Sequence, residues 1–130
     1  MTRIVSNEAG GYRSEEVTEL SVNILGTKYT VKFMTEKDDY RLEECSGYTD
    51  FFSRLIVIEN SKKGTIHEIE KFQKKVLRHE IVHAFLYESG LATSSHGCES
   101  FADDEEIVDW IAIQGEKIYS AWKSAGALNN

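Results

Sequence analysis

The sequence predicts an α+β fold: a small, mostly antiparallel sheet packed on one long helix, with a second helix near the C-terminus. Three observations predict it. Leu20–Leu25 and Lys28–Phe33 both alternate apolar and polar residues around Gly26-Thr27, the pattern of a hairpin. Arg54–Glu59 (Arg-Leu-Ile-Val-Ile-Glu) is a short β-branched run. From Thr65 onward the apolar period changes from 2 to that of a helix.

Taken in order, residues 1–16 are polar, contain Gly10-Gly11 and show little periodicity, so they read as a flexible N-terminal tail. Residues 17–125 read as a single domain and 126–130 as a flexible C-terminus. Gly26 supplies the tight hairpin turn. Residues 35–49 are charged and then small, which predicts a loop with one helical turn at most. The third strand, Arg54–Glu59, is bounded by Asp50 and by Asn60–Gly64. Thr65 or Ser61 can cap the long helix and Gly90 stops it. Ile69, Phe72, Val76, His79, His83 and Leu86 share one stripe of it, flanked by Leu77, Ile81, Ala84 and Phe85. Lys71, Lys74, Lys75 and Arg78 fall on the remaining, wet face. The helix is therefore expected to be mostly buried, with two histidines in its buried stripe. Residues 91–98 read as a loop. The last helix is expected to begin near Glu99, to face inward with Phe101, Ala102, Val108, Ala112 and Ile113, and to break at Gly115 before Ile118–Trp122. The chain has no proline, so Gly, Asn, Asp and Ser carry all the punctuation.

One hundred and thirty residues make one domain, large enough for a core that needs no disulfide or structural metal. Lys and Arg number 15 against 22 Asp and Glu, a net charge of −7, and Asp103-Asp104-Glu105-Glu106 would repel phosphate; both argue against a nucleic-acid partner. No apolar run approaches the roughly 18 residues of a membrane span. Met1–Gly11 carries Arg3 and no apolar segment, so no secretory signal is expected there. Two cysteines, Cys45 and Cys98, make no disulfide framework, and reduced thiols in a cytoplasmic protein are the expectation.

The chemistry is concentrated in His79-Glu80-Ile81-Val82-His83, an HExxH sequence inside the predicted helix. Residues four apart stand one turn apart on one face, so both imidazoles can reach a single ion. Zinc takes imidazole nitrogen at about 2.0–2.1 Å and prefers four ligands in a tetrahedron. Glu80 points about a quarter-turn away, where it can hydrogen-bond a metal-activated water and take its proton as the water attacks a carbonyl. The bland alternative is a pair of core histidines bonded to backbone or carboxylate. Two of only four histidines one turn apart on an apolar face favour the metal.

Two histidines hold zinc weakly, so a third ligand is needed. Asp104-Glu105-Glu106-Ile107-Val108-Asp109 supplies the best one. Glu105 and Asp109 are four apart and share a face with Phe101, Ala102, Val108 and Ala112. Glu105 can ligate while Asp109 accepts the second ring N–H of a histidine. Glu106 is the alternative ligand, and a solvated helix start explains Asp103.

HEIVHAF, followed some two dozen residues later by a helix carrying DEEIVD, resembles the gluzincin zinc metallopeptidases over residues 53–113. In that family a glutamate on a second helix completes the HExxH site. The resemblance implies a zincin-like fold with one Zn²⁺ per chain, held by His79, His83 and Glu105. It also implies Glu80 as the catalytic base and Asp109 as the residue supporting a ligand histidine. Asp104 stands where the family often has asparagine. The chain looks most like the minigluzincins and like short HExxH proteins of prophage-type gene sets. In such folds an edge strand before the active-site helix pairs with an extended peptide or protein substrate, and here Arg54–Glu59 would be that strand. The expected function is a zinc-dependent metallopeptidase. The alternative is a non-catalytic, zinc-holding structural or accessory protein of phage type.

Other metallopeptidase patterns fit less well. The metzincin third histidine is absent, since Ala-Phe-Leu-Tyr-Glu-Ser follows His83. His96 could ligate through a loop as in SprT-like proteases, but those act on DNA-bound protein, against the charge. Glu44-Cys45-Ser46 only faintly resembles peptide deformylases. His96 and Cys98 could close a four-ligand structural site with His79 and His83; a polar loop with a buried small cysteine is the plainer reading. Tyr48 and Tyr87 could donate to an oxyanion, although buried tyrosines are usually packing residues. Trp110 and Trp122 read as core or interface residues, and His67 as solvated.

Overall fold

A computed structural model describes residues 2–6, 10, 12–16, 18–60, 64–94 and 104–129. Thr2–Ser6 (β1) and Tyr12–Glu16 (β2) form a two-stranded antiparallel ladder, regular pairing in a stretch whose composition predicts a tail. Glu19–Ile24 (β3) and Thr27–Met34 (β4) form the expected hairpin. Leu25 and Gly26 lie between them at φ 51° and 90°. Both central residues are thus left-handed, as a type I′ turn demands. Asn23 Oδ1 accepts the Gly26 N–H at 2.7 Å and closes the turn. Leucine is strained at this position and is 59% exposed, so it buries little in return. Leu25→Asn is therefore expected to stabilise the protein by about 0.5–1 kcal/mol in urea unfolding.

After β4 the chain makes a short 3-10 helix, Tyr40–Glu43, and then two more strands, Gly47–Asp50 (β5) and Leu55–Glu59 (β6). The Asp50 carboxylate accepts the Phe52 and Ser53 N–H groups and folds the turn between β5 and β6. The strand order is β3-β4-β6-β5. Two of its three ladders are antiparallel, in keeping with the expected mostly antiparallel sheet, but the sheet is mixed: β6 returns beside β4 in the same direction, from Thr30↔Leu55 to Met34↔Glu59. The connection through residues 35–46 is long enough to carry the chain across, and the β5–β6 hairpin then inserts β6 in the middle. The position of the third predicted strand is corrected. Leu55–Glu59 is not an edge strand, because β4 and β5 pair with its two sides; the edge is β5.

One face of the sheet alternates as a half-buried sheet should. Val22 and Ile24 from β3, Tyr29, Val31 and Phe33 from β4, and Ile56 and Ile58 from β6 point into the core. Ile66–Glu88 (α1) covers them with Val76, Leu77, Ile81 and Ala84. Thr65 caps α1 in a capping box with Glu68, and Gly90 at φ 86° follows its end. Gln73, 2% exposed, donates to the Glu59 carbonyl at 3.2 Å and ties the start of α1 to the end of β6. Tyr29 donates to Glu88 at 2.7 Å and ties the other end to β4.

The long helix is less buried than its period predicts. Phe72 and Phe85 are 47% and 40% exposed, because the sheet covers only the Val76–Leu77–Ile81–Ala84 side. After the short turn Leu91–Ser94 (α2), Glu105–Ser124 (α3) packs on another side of α1. Asp104 caps it by accepting the Glu106 and Ile107 N–H groups. The expected start near Glu99, with Phe101 and Ala102, lies outside the described residues, as do Ser61 and Asp103. α3 runs unbroken through Gly115, since one glycine costs a helix only about 1 kcal/mol relative to alanine. Val108 and Ala112 are buried as expected, whereas Ile113 is exposed. Arg78 departs from the expected wet face and turns to α3, while Lys75 stays 44% exposed. Arg78 donates to the Ala112 carbonyl at 2.7 Å and pairs with Glu116, which ties α3 to α1, and Lys75 Nζ comes within 3.9 Å of Asp109. Among the described residues, no helix is long and apolar enough to cross a membrane.

Candidate metal centre

His79 and His83 project from adjacent turns of α1 toward the first turn of α3. The two Nε2 atoms are 3.2 Å apart. His79 Nε2 lies 2.9 Å from Glu105 Oε2, and His83 Nε2 lies 3.0 Å from Glu105 Oε1. Ligand atoms of all three residues fall within 4.8 Å of one another. Tetrahedral ligands about 2.0–2.1 Å from an ion stand about 3.3 Å apart, so the three heteroatoms are spaced to share one cation. The donor set, two imidazoles and a carboxylate, fits zinc chemically. The two histidine side chains are 18% and 15% exposed and Glu105 is 68% exposed, so the group opens to solvent on the α3 side.

Asp109 stands one turn after Glu105, with Oδ1 3.3 Å from His79 Nδ1. The contact favours the Nδ1–H tautomer and leaves the Nε2 lone pair for a metal. Lys75 Nζ sits 3.9 Å from the other Asp109 oxygen. Glu106 lies exposed and is not in the metal-capable group.

Glu80 is 6% exposed and lies against β5. The Thr49 hydroxyl donates to Glu80 Oε2 at 2.7 Å, with the Glu80 carbonyl 3.2 Å away. Glu80, both histidines, Glu105 and Asp109 line one cleft of about 580 Å³, walled on the sheet side by β5. A second groove of about 630 Å³ between α1 and α3, lined by Ile81, Phe85, Ile111 and Tyr119, holds none of these residues.

β5 was not foreseen from sequence, and it brings two residues to the cleft that the motif did not suggest. Gly47 lets the strand lie against α1, since a Cβ there would stand 2.8 Å from Val76 Cγ1 and 2.9 Å from the Val57 carbonyl oxygen. Thr49 reaches Glu80. The ladder also sets which backbone groups are exposed. The Glu59 N–H donates to the Ser46 carbonyl, so in the β5–β6 register Tyr48 and Asp50 bond toward β6. Gly47 and Thr49 then turn their N–H and C=O groups to the open edge. Alternation of Tyr48 and Thr49 beside a glycine was the available signal, too short to separate from a loop.

The tyrosines suggested by the sequence are engaged elsewhere. Tyr48 lines the cleft, but its hydroxyl donates to Asp39, and the Arg41 guanidinium lies 4.0 Å over its ring. Burial first, then the Asp39 bond and charge, push its phenol up to about 12. The same bond, more than any other contact, holds the Asp39 carboxyl below its usual range. Tyr87 stacks on Phe51 at 4.5 Å. Cys45 is exposed at the cleft rim, its thiol donating to the Arg41 carbonyl, and partial burial raises the thiol's pKa. Trp110 and Trp122 are each 54% exposed, so neither is a core residue. His67 is exposed at the start of α1. His96 and Cys98 lie outside the described residues.

Comparison with protein-family models, with curated proteins and with solved structures found no match.

Proposed function

We propose that this chain is a zinc-dependent metallopeptidase with a zincin-like fold of the gluzincin, minigluzincin-like type. The observation that carries the reading is the convergence of His79, His83 and Glu105 within 4.8 Å, in the same cleft as the buried Glu80 carboxylate. One cation held by these three residues would supply a Lewis acid that acidifies water and polarises a peptide carbonyl. Asp109 orients the His79 ring through Nδ1. Glu80 takes a proton from the attacking water and returns it to the leaving amine, which gives the carboxylate both halves of general acid–base catalysis. An extended peptide pairs with the outward-facing backbone of Gly47 and Thr49 on β5, in place of the Arg54–Glu59 strand expected from sequence.

Metal addition to protein stripped by a chelator tests the reading. One equivalent of Zn²⁺ is expected to bind the parent and to raise its unfolding temperature, because a ligand bound only by the native state stabilises it. His83→Ala and Glu105→Ala are expected to lose that shift, and peptide-library cleavage should appear only in the zinc-loaded parent. Zinc binding that survives both substitutions would overturn the site; a loaded protein that cleaves no peptide would overturn the peptidase assignment alone.

A further inference from the structure

The carboxylate assigned as the base is held by a residue outside the HExxH helix. The Thr49 hydroxyl donates to Glu80 Oε2 at 2.7 Å, and the carboxylate it reaches is only 6% exposed. A donor on one carboxylate oxygen fixes the rotation of the group and directs proton transfer to the other oxygen, Oε1. Thr49 belongs to the edge strand, and its own N–H and C=O face the open side of the β5–β6 ladder. The same residue therefore touches the base with its side chain and presents its backbone where an extended peptide would lie. β5 is in turn kept against α1 by the close approach at Gly47.

We infer that Thr49 is a positioning residue: it sets the orientation of Glu80 and ties the base to the strand that receives the peptide. The inference rests on Glu80 being the base of a metal site. A purely structural hydroxyl, one that only satisfies a buried carboxylate, would affect stability and leave the chemistry of the carboxylate as it was.

The full chain is compared with Thr49→Val, Thr49→Ala and Thr49→Ser, first for Zn²⁺ binding by calorimetry and then for binding of two small probes to the loaded protein. Acetohydroxamate must give up its proton to a nearby base as it binds a metal, whereas imidazole needs only the metal. Zinc and imidazole affinities are expected to be equal in all four proteins. Acetohydroxamate affinity is expected to fall about tenfold in the Val and Ala variants, the scale of one hydrogen bond to a charged group, and to return in Thr49→Ser. With a quenched peptide that the parent cleaves, kcat should fall about tenfold at unchanged KM in the same two variants and recover with serine. Acetohydroxamate binding that is unaffected by Val and Ala, or not rescued by Ser, overturns the inference. So does a loss of hydroxamate affinity matched by an equal loss of zinc affinity. Alanine decides the matter should valine prevent folding. The probes need no turnover, so a parent that takes zinc but cleaves nothing sinks the peptidase reading while the hydroxamate series still judges Thr49. A parent that takes no zinc overturns both.

Discussion

Replacing Glu80 by Gln is expected to abolish peptide hydrolysis and to leave zinc binding at the parent level. The substitution keeps the shape of the side chain. Its amide oxygen can still accept the Thr49 hydroxyl, which sits 2.7 Å from Oε2 in the parent, so position and packing persist. What disappears is the ability to take a proton. A positioned general base contributes about 10²–10⁴-fold to rate, and at least that loss is expected in initial rates on a quenched peptide. Stability should not suffer. A carboxylate at 6% exposure carries a desolvation cost that a neutral amide avoids, so the variant is expected to unfold at the same urea concentration as the parent or a higher one. A variant that is inactive yet at least as stable separates a catalytic carboxylate from a structural one. Parent-level hydrolysis by the variant would remove the base assignment and leave a metal-holding protein of the accessory kind.

Features written in local sequence were legible. α1 could be bounded because Thr65 and Gly90 act on the backbone next to them, and the hairpin because Gly26 sits between two alternating runs. The pairing of His79 with His83 needs only the helical period, and that of Glu105 with Asp109 only a second helix. The features that failed depend on distant partners. β6 carries three consecutive β-branched residues, Ile56, Val57 and Ile58, but nothing within it says that β4 will flank it in parallel and β5 on the other side. A β-branched run is equally at home at the centre and at the edge of a sheet until its neighbours are known.

The stripe on α1 shows the same limit in another form. Ile69, Phe72, Val76, His79 and His83 share a helical face, and period alone cannot say whether that face meets a sheet or a cleft. The sheet takes the side with Val76, Leu77, Ile81 and Ala84, and the cleft takes the side with His79 and His83. Arg78 is expected in water for the same reason, since the period does not show that α3 will lie against it. β5 was the hardest element to see. It has four residues, none of them a large aliphatic, and its position comes from pairing with β6 and contact with α1.

That contact makes Gly47 the position where the smallest change should do most damage to the fold of the site. A methyl group there would stand 2.8 Å from Val76 Cγ1 and 2.9 Å from the Val57 carbonyl oxygen, both closer than a Cβ can remain. Val76 is β-branched and held by the core, and the carbonyl belongs to the central strand, so neither can yield at little cost. Gly47→Ala is expected to lower stability by roughly 1–3 kcal/mol in urea unfolding, the range for forcing extra volume into a packed site. The displaced strand would also draw Thr49 away from Glu80. Val76→Ala added to Gly47→Ala removes one of the two clashes and leaves the other. The double variant should therefore be more stable than the sum of the two single losses predicts, yet remain below Val76→Ala alone. Strict additivity would mean that β5 and α1 do not press on each other at this point, and the account of how the edge strand is held over the histidine helix would fail with it.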